Sequence, residues 1–344
     1  MRKRLYILLF AVILIAFTGC AGKNNTGSDE QNITQEVGEI KIEESQDKEN
    51  YTDDYDYMFG FGIEEFKSED DELSYDGNPV KVHCYIDNQG KDFSIGIYLF
   101  IDGQMHQYRE EDTGIEGYSH VFNVVENTRE VYEISFVPDK GKKGDKLTLR
   151  FLYVLNPETK PDKAVYTYGH DTNMNQILPI KLNMLTDSES QSDNAYQYVN
   201  SVEMSQEEYD ARVYDSRGNY RNTLKNIDFV LKNEEGEEIK NYIESNQDKV
   251  KFIIEGCGGG NEEYNLTAFI NGVNVDYKDF NAIFEIKDGK YITKKEFIID
   301  LSQLDKEKYN LGEYNSLFIL AVPKSEKITS LSCRIRVITL VTGN

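Results

Sequence analysis

Short segments of alternating apolar and polar residues, separated by turn residues, run through most of the chain. Val80, Val82, Cys84 and Ile86 alternate with Lys81, His83 and Tyr85, the period of two expected of a strand with one buried face. The apolar run Ile95 to Ile101 then leads through Asp102-Gly103 into Gln104 to Tyr108. Asp-Gly between two such runs predicts a β-hairpin, because a type I′ turn needs positive φ at both central residues.

The pattern occurs twice. Phe100-Ile101-Asp102-Gly103 is echoed 169 residues later by Phe269-Ile270-Asn271-Gly272, and Tyr108 meets Tyr277 at the same spacing. Val80, Val82 and Cys84 match Val250, Phe252 and Ile254. Glu133 to Val137 parallels Lys295 to Ile299, and Leu149 to Pro157 parallels Asn315 to Pro323. The last strand of each half is predicted over Leu178 to Met184 and over Cys333 to Val341. The order is maintained along both halves, so the sequence predicts two homologous domains, residues 57–185 and 223–344. Residues 186–222 between them read as a linker: Leu185 to Asn194 is rich in Ser and Asp, and Ser205-Gln206-Glu207-Glu208 fits a capping box that opens a short helix. Ile239, Tyr242 and Ile243 have helical spacing and predict a turn or two of helix in the second domain. With many short strands and no long helical period, the fold class is all-β, two tandem β-sandwiches.

The first twenty residues follow a different pattern. Arg2, Lys3 and Arg4 precede an apolar run from Leu5 to Phe17. About 13 residues suits the core of a signal peptide, here residues 1–19, and falls short of the roughly 20 that a membrane-spanning helix needs. The run ends in Phe17-Thr18-Gly19-Cys20. These residues resemble the signal and lipobox of bacterial prolipoproteins. The resemblance implies cleavage before Cys20, a diacylglyceryl group of the palmitate type on its thiol, and a place at the extracytoplasmic face of a cell membrane. Two acyl chains anchor stably where one does so marginally. Residues 20–56 would then be the lipidated cysteine and its spacer. From Ala21 to Asn50 there are eight acidic residues against three basic ones and few large apolar side chains, a composition that predicts disorder.

Charge and composition narrow the function. A formal net charge of −23 with no basic stripe excludes nucleic acid as a partner, since phosphate binding needs clustered Lys and Arg. At 39% hydrophobic and 12% aromatic residues the chain can still fill two cores. There is no G-x-S-x-G, HExxH, CxxC or phosphate loop. His83, His106, His120 and His170 all lie in the first half without a metal-ligand spacing. They read as singly placed surface histidines, and the chain as one with no metal, no cofactor and no catalysis.

The order of strands in each half, with one tight hairpin in the middle, resembles an immunoglobulin-like or fibronectin-III-like domain, although the chain has no Trp. That resemblance puts Cys257 and Cys333 at one pole of the second sandwich. A Cys257–Cys333 disulfide is then feasible and an exported location permits it, with separate thiols as the other reading; Cys84 reads as a buried thiol. On such a scaffold binding residues belong to loops. Tyr166, Tyr168, His170 and Asp171, in the connection from Asn156 to Gln176, are suited to stacking and hydrogen bonding with a sugar or a peptide. Gly258, Gly259 and Gly260 form a flexible loop in the second domain. The sequence thus predicts a membrane-anchored, non-catalytic binding or interaction module with an extracellular carbohydrate or protein as partner; a carbohydrate-binding surface protein and a hydrolase acting on a cell-wall or extracellular polymer are the alternatives.

Overall fold

Two β-sandwiches stand face to face in the computed structural model, which describes residues 59–66, 72–161, 174–176, 179–188, 196–213, 227–240, 242–245, 248–275, 280–327 and 334–341. The signal segment, Cys20 and the acidic spacer lie outside the described residues. All described strands belong to one compact unit, Gly38–Asn344.

In the first sandwich, β3 (Val80–Asn88) buries Val80, Val82, Cys84 and Ile86 and turns the intervening residues outward, as the alternation predicts. It pairs antiparallel with β1 (Phe59–Ile63) and β9 (Arg129–Phe136). With β6 (Tyr108–Glu110) and β7 (Glu116–Gly117) they make an outer sheet of order β1-β3-β9-β6-β7. The inner sheet runs from β2 (Glu72–Tyr75) through β12 (Ile180–Met184), β10 (Lys146–Leu155) and β4 (Phe93–Ile101) to β5 (Gln104–His106). It also carries β8 (Ser119–Val124) on β4 and β11 (Met174–Gln176) on β10.

The second sandwich repeats the plan. Its outer sheet is β14 (Val202–Glu203), β21 (Tyr291–Asp300), β17 (Lys249–Cys257) and β15 (Asp228–Lys232). Its inner sheet is β13 (Gln197–Val199), β20 (Ala282–Ile286), β18 (Glu262–Ile270), β22 (Tyr314–Pro323), β23 (Arg334–Val341) and β16 (Tyr242–Glu244), with β19 (Val273–Asn274) on β18. In each half the opening strand is split between the sheets. β1 runs antiparallel to β3 while β2 runs parallel to β12; likewise β15 is antiparallel to β17 and β16 parallel to β23. Both halves are therefore immunoglobulin-like sandwiches. Both predicted hairpins form as two-residue turns, with φ of 49° and 76° at Asp102 and Gly103 and of 50° and 80° at Asn271 and Gly272.

Two local expectations change. Tyr242–Glu244 is a strand, not a helix: Ile243 is buried beside β23, and the Ile239 amide donates to the Leu231 carbonyl. Three residues with helical spacing cannot nucleate a helix against available sheet partners. The segment 186–222 is also partly integrated. The Leu185 and Ser188 amides still bond to the first sandwich, while β13 and β14 extend the sheets of the second. Helix α1 (Gln206–Val213) opens on the reciprocal capping box, with the Glu208 amide donating to Ser205 Oγ at 3.1 Å and the Ser205 amide donating to Glu208 Oε2 at 3.0 Å.

The inner sheets pack on each other. On β4, Ile95, Ile97, Leu99 and Ile101 fill the first core, while Tyr98 and Phe100 point the other way and meet Phe269, Phe318, Leu320 and Val322 of the second sandwich. Leu152 and Val154 of β10 join this third cluster. Phe269 stacks on Phe318 at 4.5 Å and meets the edge of Tyr98 at 4.9 Å. Central strands buried on both faces explain why their sequences run apolar without alternation.

Candidate functional site

The repeated turns form a reciprocal joint between the sandwiches. Asn265 Nδ2 on β18 donates to the Asp102 carbonyl at 3.2 Å, and the Tyr98 hydroxyl on β4 donates to the Gly272 carbonyl at 3.3 Å. A Cβ on Gly103 would lie 2.8 Å from the Val322 carbonyl and 3.2 Å from that of Pro323; one on Gly272 would lie 2.8 Å from the Pro157 carbonyl. Pro157 and Pro323 hold equivalent places in the two halves. The contact is therefore isologous, each half using the same patch on the other. Arg150, 1% exposed, adds a bond from Nη2 to the Ser325 carbonyl at 2.6 Å. The joint occupies the inner faces and leaves outer sheets, poles and side seams as exterior surface.

Of the residues singled out from sequence, Tyr166, Tyr168, His170, Asp171, Cys20 and Cys333 lie outside the described residues. Gly258, Gly259 and Gly260 make the turn from β17 to β18, with φ of 78°, 76° and 89°. A Cβ on Gly259 would fall 2.6 Å from the Ile227 amide nitrogen, so close packing accounts for that glycine. Cys257 is a buried thiol on the outward face of β17. It packs with Met204, Ile292 and Tyr209 beneath α1, and Arg212 Nη1 donates to its Sγ at 3.4 Å. Burial pushes its pKa up despite Arg212. Cys84 is buried as the sequence predicts, and burial pushes its thiol to about 12.

Beside Cys257 is a cluster that the sequence reading missed. Glu255, 5% exposed, accepts from Arg212 and lies 2.8 Å from Lys232 Nζ and 3.3 Å from Lys294 Nζ. Burial works to raise its pKa, but Lys232, Arg212 and Lys294 outweigh it and hold the carboxyl below its ordinary range. Lys294 also holds Glu208 down to about 2 at 2.8 Å. These ion pairs dock α1 on the outer sheet. Only the position of Glu255 one residue from core-facing Ile254 marked it in the sequence.

The histidines are not uniformly superficial. His106 is 8% exposed, with Nδ1 2.6 Å from the Gln107 carbonyl and Nε2 3.5 Å from Asp139 Oδ1. It is buried because it ends β5 against Phe136 of the outer sheet, 6.0 Å between rings. Burial lowers its pKa and that of His120. His83, half exposed on the outer sheet, has Nδ1 against Glu65 and Nε2 3.6 Å from Glu133 Oε2. The hydrogen bond to Glu65 is the main cause of its raised pKa. Among the described residues no three His, Cys, Asp or Glu side chains are arranged to hold a metal ion.

One open cleft, of about 1040 Å³, lies along the side seam of the second sandwich where the chain crosses from β15 to β16. Glu234, Glu235, Glu237 and Glu238 line one wall, Tyr242 to Ser245 another, and Lys249 and Lys251 come from β17. The glutamates sit on a turn stiffened by Asn233, whose Oδ1 accepts from the Glu237 amide at 2.8 Å.

No family model and no curated protein sequence matches the chain. Among solved structures it is similar to a protein of unknown function from Porphyromonas gingivalis W83, at 10% identity and a TM-score of 0.21, over 82% of this chain and 98% of that one. It is also similar to the E. coli chaperone DraB, at 7% and 0.24, over 82% and 95%. A third is the Salmonella enterica SafA pilin in complex with the SafB chaperone, at 8% and 0.23, over 83% and 96%. Likeness at this level says nothing of function, and the fold class stands on the chain's own strand order.

Proposed function

We propose that the chain is a lipid-anchored extracytoplasmic protein whose paired immunoglobulin-like sandwiches act as a non-catalytic binding module. The observation that carries the anchor is the junction Gly19-Cys20 after a 13-residue apolar run and three cations. The binding role is supported by how the side chains are used. The buried ionic groups are engaged in holding elements together: Glu255 docks α1, and Arg150 joins the sandwiches. The open surface that remains is sheet edge, seam and loop, the parts of a sandwich that recognise other molecules.

The test is metabolic labelling with palmitate and membrane fractionation of cells making the protein or its Cys20→Ala variant. The wild type takes label and sediments with membranes, and the variant accumulates as an unlabelled, uncleaved precursor. Unchanged processing and fractionation of the variant overturn the anchor.

A further inference from the structure

The seam cleft is bounded by a strand whose outer side carries no partner strand among the described residues. Among the described residues β16 is the last strand of its sheet and pairs with β23 alone. The Ser245 amide donates to the Val341 carbonyl at 2.9 Å. In a parallel ladder alternate residues face the partner, so Ile243 shares that side and the amides and carbonyls of Tyr242 and Glu244 face the cleft. Tyr242 is 41% exposed, while Ile243 is buried in the core beneath and fixes the strand. The cleft walls bring five glutamates, Glu234, Glu235, Glu237, Glu238 and Glu244, against the three lysines Lys240, Lys249 and Lys251. Lys251 is committed to Glu234 at 3.0 Å. A cleft of net negative charge on a chain of −23 attracts cations over a Debye length and repels acidic segments, the protein's own spacer included.

We propose that this seam docks an extended peptide segment of a protein partner, bearing Lys or Arg at alternate positions, which adds as a strand to the open edge of β16. Main-chain hydrogen bonds to Tyr242 and Glu244 supply register, and the glutamate wall selects charge. The inference rests on the binding-module reading and names the partner class for it. β16 offers only three residues, so the ladder is short and charge pairing carries much of the discrimination.

The test uses the full-length protein in detergent and a fluorescent octapeptide of alternating Lys and Val, read by anisotropy at low salt. Saturable binding is expected. It should weaken about tenfold or more when the peptide backbone is N-methylated along one edge, when Glu replaces Lys in the peptide, and in Glu235→Lys or Glu244→Lys protein, whose side chains are exposed and whose melting should not change. Failure of the Lys–Val peptide to bind overturns the proposal. Equal binding of the N-methylated peptide overturns it too, since charge attraction without strand pairing would then suffice. A palmitate-labelled chain that does not bind the peptide sinks the edge alone, and an unlabelled chain that binds it sinks the anchor alone.

Discussion

The Tyr98 hydroxyl of the first sandwich donates to the Gly272 carbonyl of the second at 3.3 Å. This bond ties a central strand of one half to the hairpin turn of the other. Gly272 thus has two reasons to be glycine: a φ of 80° and a Pro157 carbonyl where a side chain would start.

Those two reasons can be separated. Gly144 has a φ of 95° with nothing near a new Cβ, so Gly144→Ala should cost about 1 kcal/mol, the backbone penalty alone. Gly272→Ala and Gly103→Ala should cost about 2 to 3 kcal/mol, because they also push the sandwiches apart. Urea denaturation of the three variants measures the difference; equal losses would mean that the turns do not bear on the joint.

The aromatic contact between the halves should make unfolding cooperative. Phe269→Ala removes the stack on Phe318 and the edge contact with Tyr98, at a cost of about 3 to 5 kcal/mol. Calorimetry should show one transition for the wild type, and two for Phe269→Asp, which places a charge in the joint. Two transitions in the wild type would show the sandwiches to be independent.

Histidines should pull the stability in opposite directions with pH. His83 has a raised pKa in the folded state, so its contribution is complete below about 6.5 and is lost as pH rises through the folded value. His106 has a lowered pKa, so the folded state resists its protonation and loses stability as pH falls below about 6.5. Urea midpoints at pH 5.5 and pH 8.5 should therefore show His83→Gln losing its harm at the higher pH. His106→Gln should lose less than the wild type on acidification. Parallel curves for wild type and both variants would refute the assignment.

Neither Cys84 nor Cys257 should react with iodoacetamide in the folded protein at pH 8, since burial raises both pKa values and the thiolate is the nucleophile. In urea without reductant, mass spectrometry should find both alkylated. If Cys257 needs a reductant first, it is bridged, with Cys333 as the feasible partner.

The strand content and hairpins were legible because each is written locally: the alternation of Val80 to Ile86 places β3, and Asp102-Gly103 and Asn271-Gly272 place both turns. The capping box placed α1 for the same reason. The joint was present in the sequence in another form. Ile95 to Ile101 and Ser316 to Pro323 lack polar alternation, as strands buried on both faces do, but that signature does not say what covers the second face. β16 was misread because three residues carry too little periodicity to outweigh sheet pairing. His106 was misread as a surface histidine and Glu255 was missed because their burial depends on elements distant in sequence, Phe136 of β9 in one case and Arg212 of α1 in the other.

Equivalent faces on two separate chains would meet only as often as their concentrations allowed. Joined end to end, with the twelve residues 185–196 between β12 and β13, each face sees the other at an effective concentration on the order of millimolar. Pairing then no longer depends on how many copies a cell displays, and either half can diverge without waiting for a matching change in a second gene.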